Sequence, residues 1–334
     1  MYIAHPYLLF IGDAPDDLAA KTAQGIADWR PEWCLGQMRL PGCKADLKLP
    51  DMTIADAAAK GAKTLIIGVA NAGGVLPESW SPMIVEAIER GMDVASGLHS
   101  KLTTLPEVVK AAEKHGRLLH DVRHPTQEFA TGKGKRRSGK RLLAVGTDCS
   151  IGKMYTTLAL EREMKKRRMK ADFRATGQTG IFIAGSGVSI DAVVSDFVSG
   201  AVEWLSPDND ADHWDLIEGQ GSLFHASFAG VSLGLLHGAA PDALIMCHEP
   251  TRKHMRGLPH YPLPDLKTCI DTNLQLARLT NPDVKMAGIA INTSKLSDNE
   301  AKSYLAKLES EYGLPTVDPV RTGVGKLVDK LQAW

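Results

Sequence analysis

The 334-residue sequence has no excess of charge of either sign: Lys plus Arg number 39 and Asp plus Glu 39, a formal net charge of zero. Such a chain lacks the broad positive field that bulk nucleic-acid or anionic-membrane binding requires, so neither is expected as a partner, although local patches can still hold anions. Cysteine is scarce. Cys34, Cys43, Cys149, Cys247 and Cys269 are odd in number and never spaced C-x-x-C. That argues against a disulfide framework and a zinc ribbon, and reduced thiols in the cytoplasm are the simplest reading. A long unbroken apolar run is missing too. The best candidate, 229–247, is interrupted by His237, Pro241 and Asp242, and reads as a buried helix and a strand rather than a membrane span. The short apolar run at 7–11 has no Lys or Arg before it and is followed at once by acidic residues, so no secretory signal is expected.

The composition is that of a globular chain, 44% hydrophobic and 23% charged, long enough for about two domains that need no disulfide or metal staples. The clearest punctuation is Thr-Gly-Lys-Gly-Lys-Arg-Arg-Ser-Gly-Lys-Arg at 131–141, which has no apolar residue and reads as an exposed basic linker, a solvated hinge or else a basic patch for an anionic ligand. Before it, strands are expected over 7–12, 64–70, 93–95 and 118–122, and helices over 16–29, 54–60, 80–90 and 105–115. The alternation implies an α/β fold with a parallel sheet, so 1–130 is expected to be a Rossmann-like domain. Asn-Ala-Gly-Gly at 71–74 follows a strand directly and reads as a tight turn or the rim of a ligand crevice. After the linker, strands are expected at 141–145, 172–175, 214–217, 243–247, 286–291 and 316–317. Helices are expected at 153–168, 191–205, 265–279, 298–312 and 325–333. The block 142–334 is therefore expected to be a second α/β domain with a mainly parallel sheet.

The strongest chemical signal is the run Gly146, Thr147, Asp148, Cys149, Ser150, Ile151, Gly152, Lys153 between a strand and a helix. Glycines let backbone N–H groups turn inward, the helix start adds partial positive charge, and Lys153 adds a full one, so the loop suits a di- or triphosphate. Five residues separate the two glycines where the common P-loop has four, and the next residue is Met154, not the usual magnesium-ligating Ser or Thr. The second domain thus reads as P-loop NTPase-like, with a loop suited to a pyrophosphate that serves as an anchor, as in coenzyme A.

Three further strand ends carry polar groups. Glu218 closes the strand that begins at Trp214 and opens Glu-Gly-Gln-Gly; an acid there is a candidate metal ligand or general base, whereas Asp215 reads as a turn cap. Thr176, Gly177, Gln178, Thr179 and Gly180 read as a tight polar loop whose side chains can bind a substrate. Asp191 and Asp196 follow as candidates for a substrate amine or its proton, Asp191 also as a helix cap. At 248–252, His248, Glu249 and Arg252 converge, and Arg252 can clamp a carboxylate. The run through His254, Arg256, His260 and Tyr261 reads as a polar loop. His225, close to Gly221 in sequence, reads as structural or as a site residue, and Asn292 as the close of a strand or, as in P-loop relatives, a contact to a nucleotide base. Cys247 and His248, adjacent on a strand, point opposite ways, and no metal site is expected.

The loop at 146–153 together with Glu218 to Gly221 resembles dethiobiotin synthetase, which keeps a Thr after the Lys where this chain has Met154. Over nearly its full length the chain more closely resembles the D-glutamate N-acetyltransferases (DgcN-like), through 146–153, 175–180, 188–197, 218–221 and His248-Glu-Pro. That resemblance implies a Rossmann-like domain followed by a P-loop-like one, and acetyl transfer from acetyl-CoA to the amine of D-glutamate. On that reading 146–154 hold the cofactor, and Glu218, Asp196 and Gln178 are the catalytic candidates. Thr176, Gly177, Thr179, Asp191, His248 and Arg252 meet the substrate, and backbone N–H groups of 176–180 hold the oxyanion. The implied partner is a small amino acid, and a cytoplasmic homo-oligomer is expected. The rivals are an ATP-dependent ligase or carboxylase, which alone would call for Mg²⁺, and a nucleotide-binding regulator without chemistry.

Overall fold

A computed structural model describes residues 2–70 and 74–334, so the expected turn at 71–74 falls outside the described residues except for Gly74. The chain divides into two compact units, Met1–Gln127 with Gly177–Ala192, and Glu128–Thr176 with Val193–Trp334.

The first unit runs β1 (Tyr7–Gly12), α1 (Lys21–Trp29), β2 (Cys34–Arg39), α2 (Ile54–Ala59), β3 (Thr64–Ile67), α3 (Ser81–Glu89), β4 (Asp93–Ser96), α4 (Pro106–His115) and β5 (Leu119–Asp121). Its five strands lie parallel in the order β2-β1-β3-β4-β5. All six β1 residues are buried, as a parallel strand covered on both faces demands. Strand β2 has no counterpart in the expected elements. It is a half-buried edge strand, Cys-Leu-Gly-Gln-Met-Arg, without the continuous apolar run that marks a central strand.

The second unit runs β6 (Lys140–Gly146), α5 (Lys153–Lys166) and β7 (Ala171–Arg174). The chain then enters α6 (Gln178–Ala184), which belongs to the first unit, before α7 (Val198–Leu205), β8 (Trp214–Ile217), α8 (Ala229–Ala239) and β9 (Ala243–His248). It ends with α9 (Leu266–Ala277), β10 (Lys285–Ile291), α10 (Asp298–Tyr312), β11 (Thr316–Val317) and α11 (Gly325–Gln332). The sheet order is β11-β10-β9-β6-β8-β7, all parallel. The first strand of the unit, β6, sits mid-sheet between β8 and β9, where the direction of winding reverses. The loop leaving it therefore opens at the topological switch point, where parallel sheets leave room for a ligand. The stretch 229–247 resolves into helix α8 and strand β9, and among the described residues no helix is long and apolar enough to cross a membrane.

Three expectations need correction. The polar loop read at 175–180 ends at Gly177, because α6 starts at Gln178 and buries Gly180, Ile181, Phe182 and Ile183 in succession. That run carries no helical period, and its glycines imitate a turn. The helix expected from 191 begins at Val198; residues 190–192 and 195–197 are single 3-10 turns. Asp191 consequently caps no long helix, and its carboxylate instead accepts from Ser189 Oγ at 2.8 Å and pairs with Arg123. The basic run is not a freely solvated linker. The N–H groups of Lys133 and Gly134 donate to Glu203, and Arg137 donates to the carbonyls of Ser206, Gly238 and Ala239 at 2.6–3.0 Å. The guanidinium thereby serves carbonyls at the ends of α7 and α8, the negative end of each helix dipole.

Candidate functional site

The site grows from the segment between β6 and α5. Gly152, at φ +109°, precedes the first residue of α5, and Ser150 is also left-handed at φ +51°. These two residues make the curl that turns successive amides to one side, a conformation that forms anion-binding nests. The carbonyls on the other side are taken. Asp148 O accepts from Lys153 Nζ at 2.7 Å, and Cys149 O accepts from Arg252 at 2.7 Å. Lys153 is 6% exposed and is held by a carbonyl rather than a carboxylate. Burial is the largest influence on its ammonium and pushes its pKa down, so an anion beside it would be welcome.

Asp148 is fully buried and organises the loop. Its carboxylate accepts from the N–H of Cys149 at 2.7 Å, from Arg252 at 2.7 Å and from the N–H of Arg256 at 2.8 Å. Arg252, a candidate clamp for a substrate carboxylate, is engaged by two of the chain's own carboxylates, Asp148 at 2.7 Å and Glu249 at 3.5 Å. Thr147 Oγ1 and His248 Nδ1 are hydrogen-bonded at 3.0 Å, and Ser222 Oγ donates to Thr147 O at 3.2 Å. The hydroxyls of Thr156 and Thr157 bond back to the carbonyls of Gly152 and Lys153. Met154 leaves the first turn of α5 with no hydroxyl at the position that ligates magnesium in P-loop NTPases.

On the other side of β6, Glu218 is 4% exposed at the end of β8, and its Oε2 accepts from the N–H of Thr176 at 2.9 Å. Thr176 Oγ1 donates to Glu218 O and accepts from Gln220 Nε2 at 3.1 Å. The Thr176 amide is thus committed to Glu218 and does not serve as an oxyanion donor. Gly219 lies so close to β6 that a Cβ there would stand 1.6 Å from Ala144 O and 2.9 Å from Lys153 Cδ. Asp215 is no turn cap: buried within β8, it pairs with Arg174 at 2.7 Å.

The structure brings 146–154, Thr176, Glu218, His248 and Arg252 into the second unit, together with Asp196, which is exposed in its 3-10 turn. It places Gly177, Gln178, Thr179 and Asp191 in the first unit. There Thr179 Oγ1 meets Thr22 Oγ1 at 3.5 Å, and a Cβ on Gly97 would stand 2.0 Å from Gln178 Oε1. Arg256 and Ser222, which no sequence motif marks as site residues, also touch the loop. Glu249 is buried and holds Thr251, Arg252 and Lys295. Asp148, Cys149 and His225 each offer a metal-ligand atom within 4.8 Å of the others. The Asp148 carboxylate already serves Arg252, however, and both ring nitrogens of His225 are bonded, to Arg256 O and the Ser227 N–H. Asn292 closes its strand end as expected, its Oδ1 accepting from the Ser294 N–H at 3.1 Å.

Burial drives the His248 pKa from 6.5 down to about 4, opposed by Glu249 and assisted by Arg252. The folded chain therefore keeps this imidazole neutral over a range in which the unfolded chain protonates it. Its stabilising contribution is complete above pH 6.5 and is lost as pH falls from 6.5 towards 4. Urea midpoints measured between pH 7.5 and 4.5 should fall less steeply in His248→Gln than in the wild type; equal slopes contradict the assignment.

Fold and site together define a two-domain α/β protein of the P-loop class. Residues 128–328 match the family model described as Domain of unknown function (DUF1611_C) P-loop domain, and residues 38–125 match Domain of unknown function (DUF1611_N) Rossmann-like domain. The chain belongs to this DUF1611 family. A D-glutamate N-acetyltransferase of Tritonibacter scottomollicae is 57% identical over 331 residues, 99% of each chain. A second D-glutamate N-acetyltransferase, of a Pseudoalteromonas species, is 55% identical over 99% of this chain and all of its own. The crystal structure of a DUF1611 family protein from Anabaena variabilis is 29% identical and covers 99% of this chain and 100% of that one, with a TM-score of 0.86. These relatives bear out the resemblance drawn from the motifs and the pairing of a Rossmann-like with a P-loop domain.

Proposed function

We propose that this protein is an N-acetyltransferase that moves the acetyl group of acetyl-CoA to the amine of D-glutamate. The near-full-length relatives at 55–57% identity carry that name. The observation that carries the reading at the site is a left-handed curl at Ser150 and Gly152 that leads into α5, with a buried Lys153 followed by Met154. Such a loop grips a pyrophosphate and has no hydroxyl to hold the magnesium of a phosphoryl transfer. Acetyl-CoA presents a pyrophosphate that stays intact while its thioester reacts.

In the reaction the amine nitrogen bonds to the acyl carbon, the carbon–sulfur bond breaks, and the second proton that the nitrogen sheds passes to the sulfur, so that CoA leaves as the thiol. One ammonium proton must be lost before attack, because only the neutral amine is nucleophilic. Glu218 is the proposed acceptor: it is a buried carboxylate in the same unit as the loop, one residue from the glycine that abuts Lys153. The chain's five free cysteines suit the reducing cytoplasm, and enzymes of this kind are by default symmetric homo-oligomers.

The test is to incubate the pure protein with acetyl-CoA and a panel of D- and L-amino acids, and to follow free thiol. D-glutamate should release CoA at least about tenfold faster than L-glutamate, the discrimination expected when one misplaced polar contact costs about 1.4 kcal/mol. No thiol with any amine, but ADP on addition of magnesium ATP, favours the ligase chemistry instead.

A further inference from the structure

Between β9 and α9 lies a loop with five basic or imidazole side chains, Arg252, Lys253, His254, Arg256 and His260, and no acid from 250 to 262. It is a built element. The N–H of Met255 donates to Tyr261 O at 2.8 Å, His254 and Pro262 form an isolated bridge, and the Met255 side chain is buried beneath it. Its two arginines straddle the apex of the phosphate loop in different ways.

Arg252 is enclosed, its side chain 18% exposed, and its guanidinium serves Asp148 Oδ2, Cys149 O, Ser150 O at 3.4 Å and, through Nε at 3.5 Å, the Glu249 carboxylate. It holds the carbonyls of the curl and so fixes the backbone of the loop. Arg256 is fixed by its backbone instead: its N–H donates to Asp148 Oδ2 at 2.8 Å, and its carbonyl meets His225 Nε2 at 3.0 Å. Its guanidinium reaches Ser150 Oγ, at a left-handed residue of the curl, and among the described residues that rotatable hydroxyl is its one side-chain acceptor.

A pyrophosphate diester carries two negative charges and Lys153 supplies one positive charge. In P-loop NTPases a magnesium ion on the following hydroxyl neutralises the remainder, and here that residue is Met154. We infer that Arg256 provides the second cation on the bound pyrophosphate, in place of a divalent metal, and that Arg252 is the positioning residue that keeps the nest open for it. The inference rests on the reading that this loop binds a pyrophosphate, and deepens it by naming the groups that neutralise the ligand.

The test is calorimetric titration of the full-length protein with inorganic pyrophosphate and, separately, with CoA, each in EDTA and in excess magnesium. Wild-type protein should bind both ligands in EDTA, with CoA affinity unchanged by the metal. Arg256→Gln keeps both backbone anchors, so its melting temperature should stay near wild type. It should weaken both ligands by about tenfold to a hundredfold, the range for one charge-assisted hydrogen bond. Arg256→Lys should recover most of the loss, which a merely structural arginine would not allow. Pyrophosphate binding by Arg256→Gln equal to the wild type overturns the inference, as does wild-type binding that requires magnesium or does not occur. If wild type takes pyrophosphate in EDTA but not CoA, the acetyl-CoA reading falls and the pyrophosphate arm still decides Arg256.

Discussion

Replacing Lys153 with Ala should raise the Kd for acetyl-CoA by about a hundredfold or more, the scale of one buried charge-assisted contact of about 3 kcal/mol. The melting temperature should hold or rise. The two outcomes separate because of where the ammonium sits. Lys153 is 6% exposed, its Nζ donates to the Asp148 carbonyl at 2.7 Å, and burial lowers its pKa. Keeping a cation there costs the empty protein desolvation that one carbonyl repays only in part. A pyrophosphate repays the rest, so the cost falls on folding and the return on binding. Calorimetry and thermal melts on the same variant measure both. Unchanged affinity would detach the lysine from the ligand.

Gly219→Ala should abolish turnover to below about 1% and lower the melting temperature by several degrees, given about 1–3 kcal/mol for an overpacked core and about 2–4 °C per kcal/mol at this size. The added carbon would stand 1.6 Å from Ala144 O, a backbone atom of β6, and 2.9 Å from the Lys153 stem. Neither β8 nor β6 can yield without moving the phosphate loop. Gly230→Ala on α8 is the control. Nothing lies within 4 Å of its added carbon, and replacing a helical glycine stabilises by about 0.5–1 kcal/mol. Thiol-release rates and melting curves for the two variants decide the matter; wild-type activity in Gly219→Ala would mean that the turn does not constrain the lysine.

The phosphate loop was legible in the sequence because strand, curl, lysine and helix start are contiguous over 146–153, and each part follows from local chemistry. The helix–strand alternation was legible for the same reason, from apolar period and run length. Strand β2 escaped because an edge strand can leave its apolar face incomplete, and α6 because four consecutive buried residues have no helical period. The pairing of Arg252 with Asp148, 104 residues away, is as invisible in the sequence as that of Thr147 with His248 across 101. No local pattern reports such pairings. Nor could spacing show that Gly177, Gln178, Thr179 and Asp191 pack with the first unit while Thr176, one bond away, belongs to the second. Unit membership is a property of long-range packing. Arg256 left one trace, a basic run free of acid, which is stronger evidence of an anion than any single residue in it.

The most direct measurement is a crystal of the protein soaked with CoA in the absence of divalent metal. The account predicts pyrophosphate density within hydrogen-bond distance of the amides of Ile151 to Lys153, with Lys153 Nζ turned from the Asp148 carbonyl onto a phosphate oxygen. Density for the cofactor in the first unit, with that loop empty and Lys153 still on its carbonyl, contradicts it.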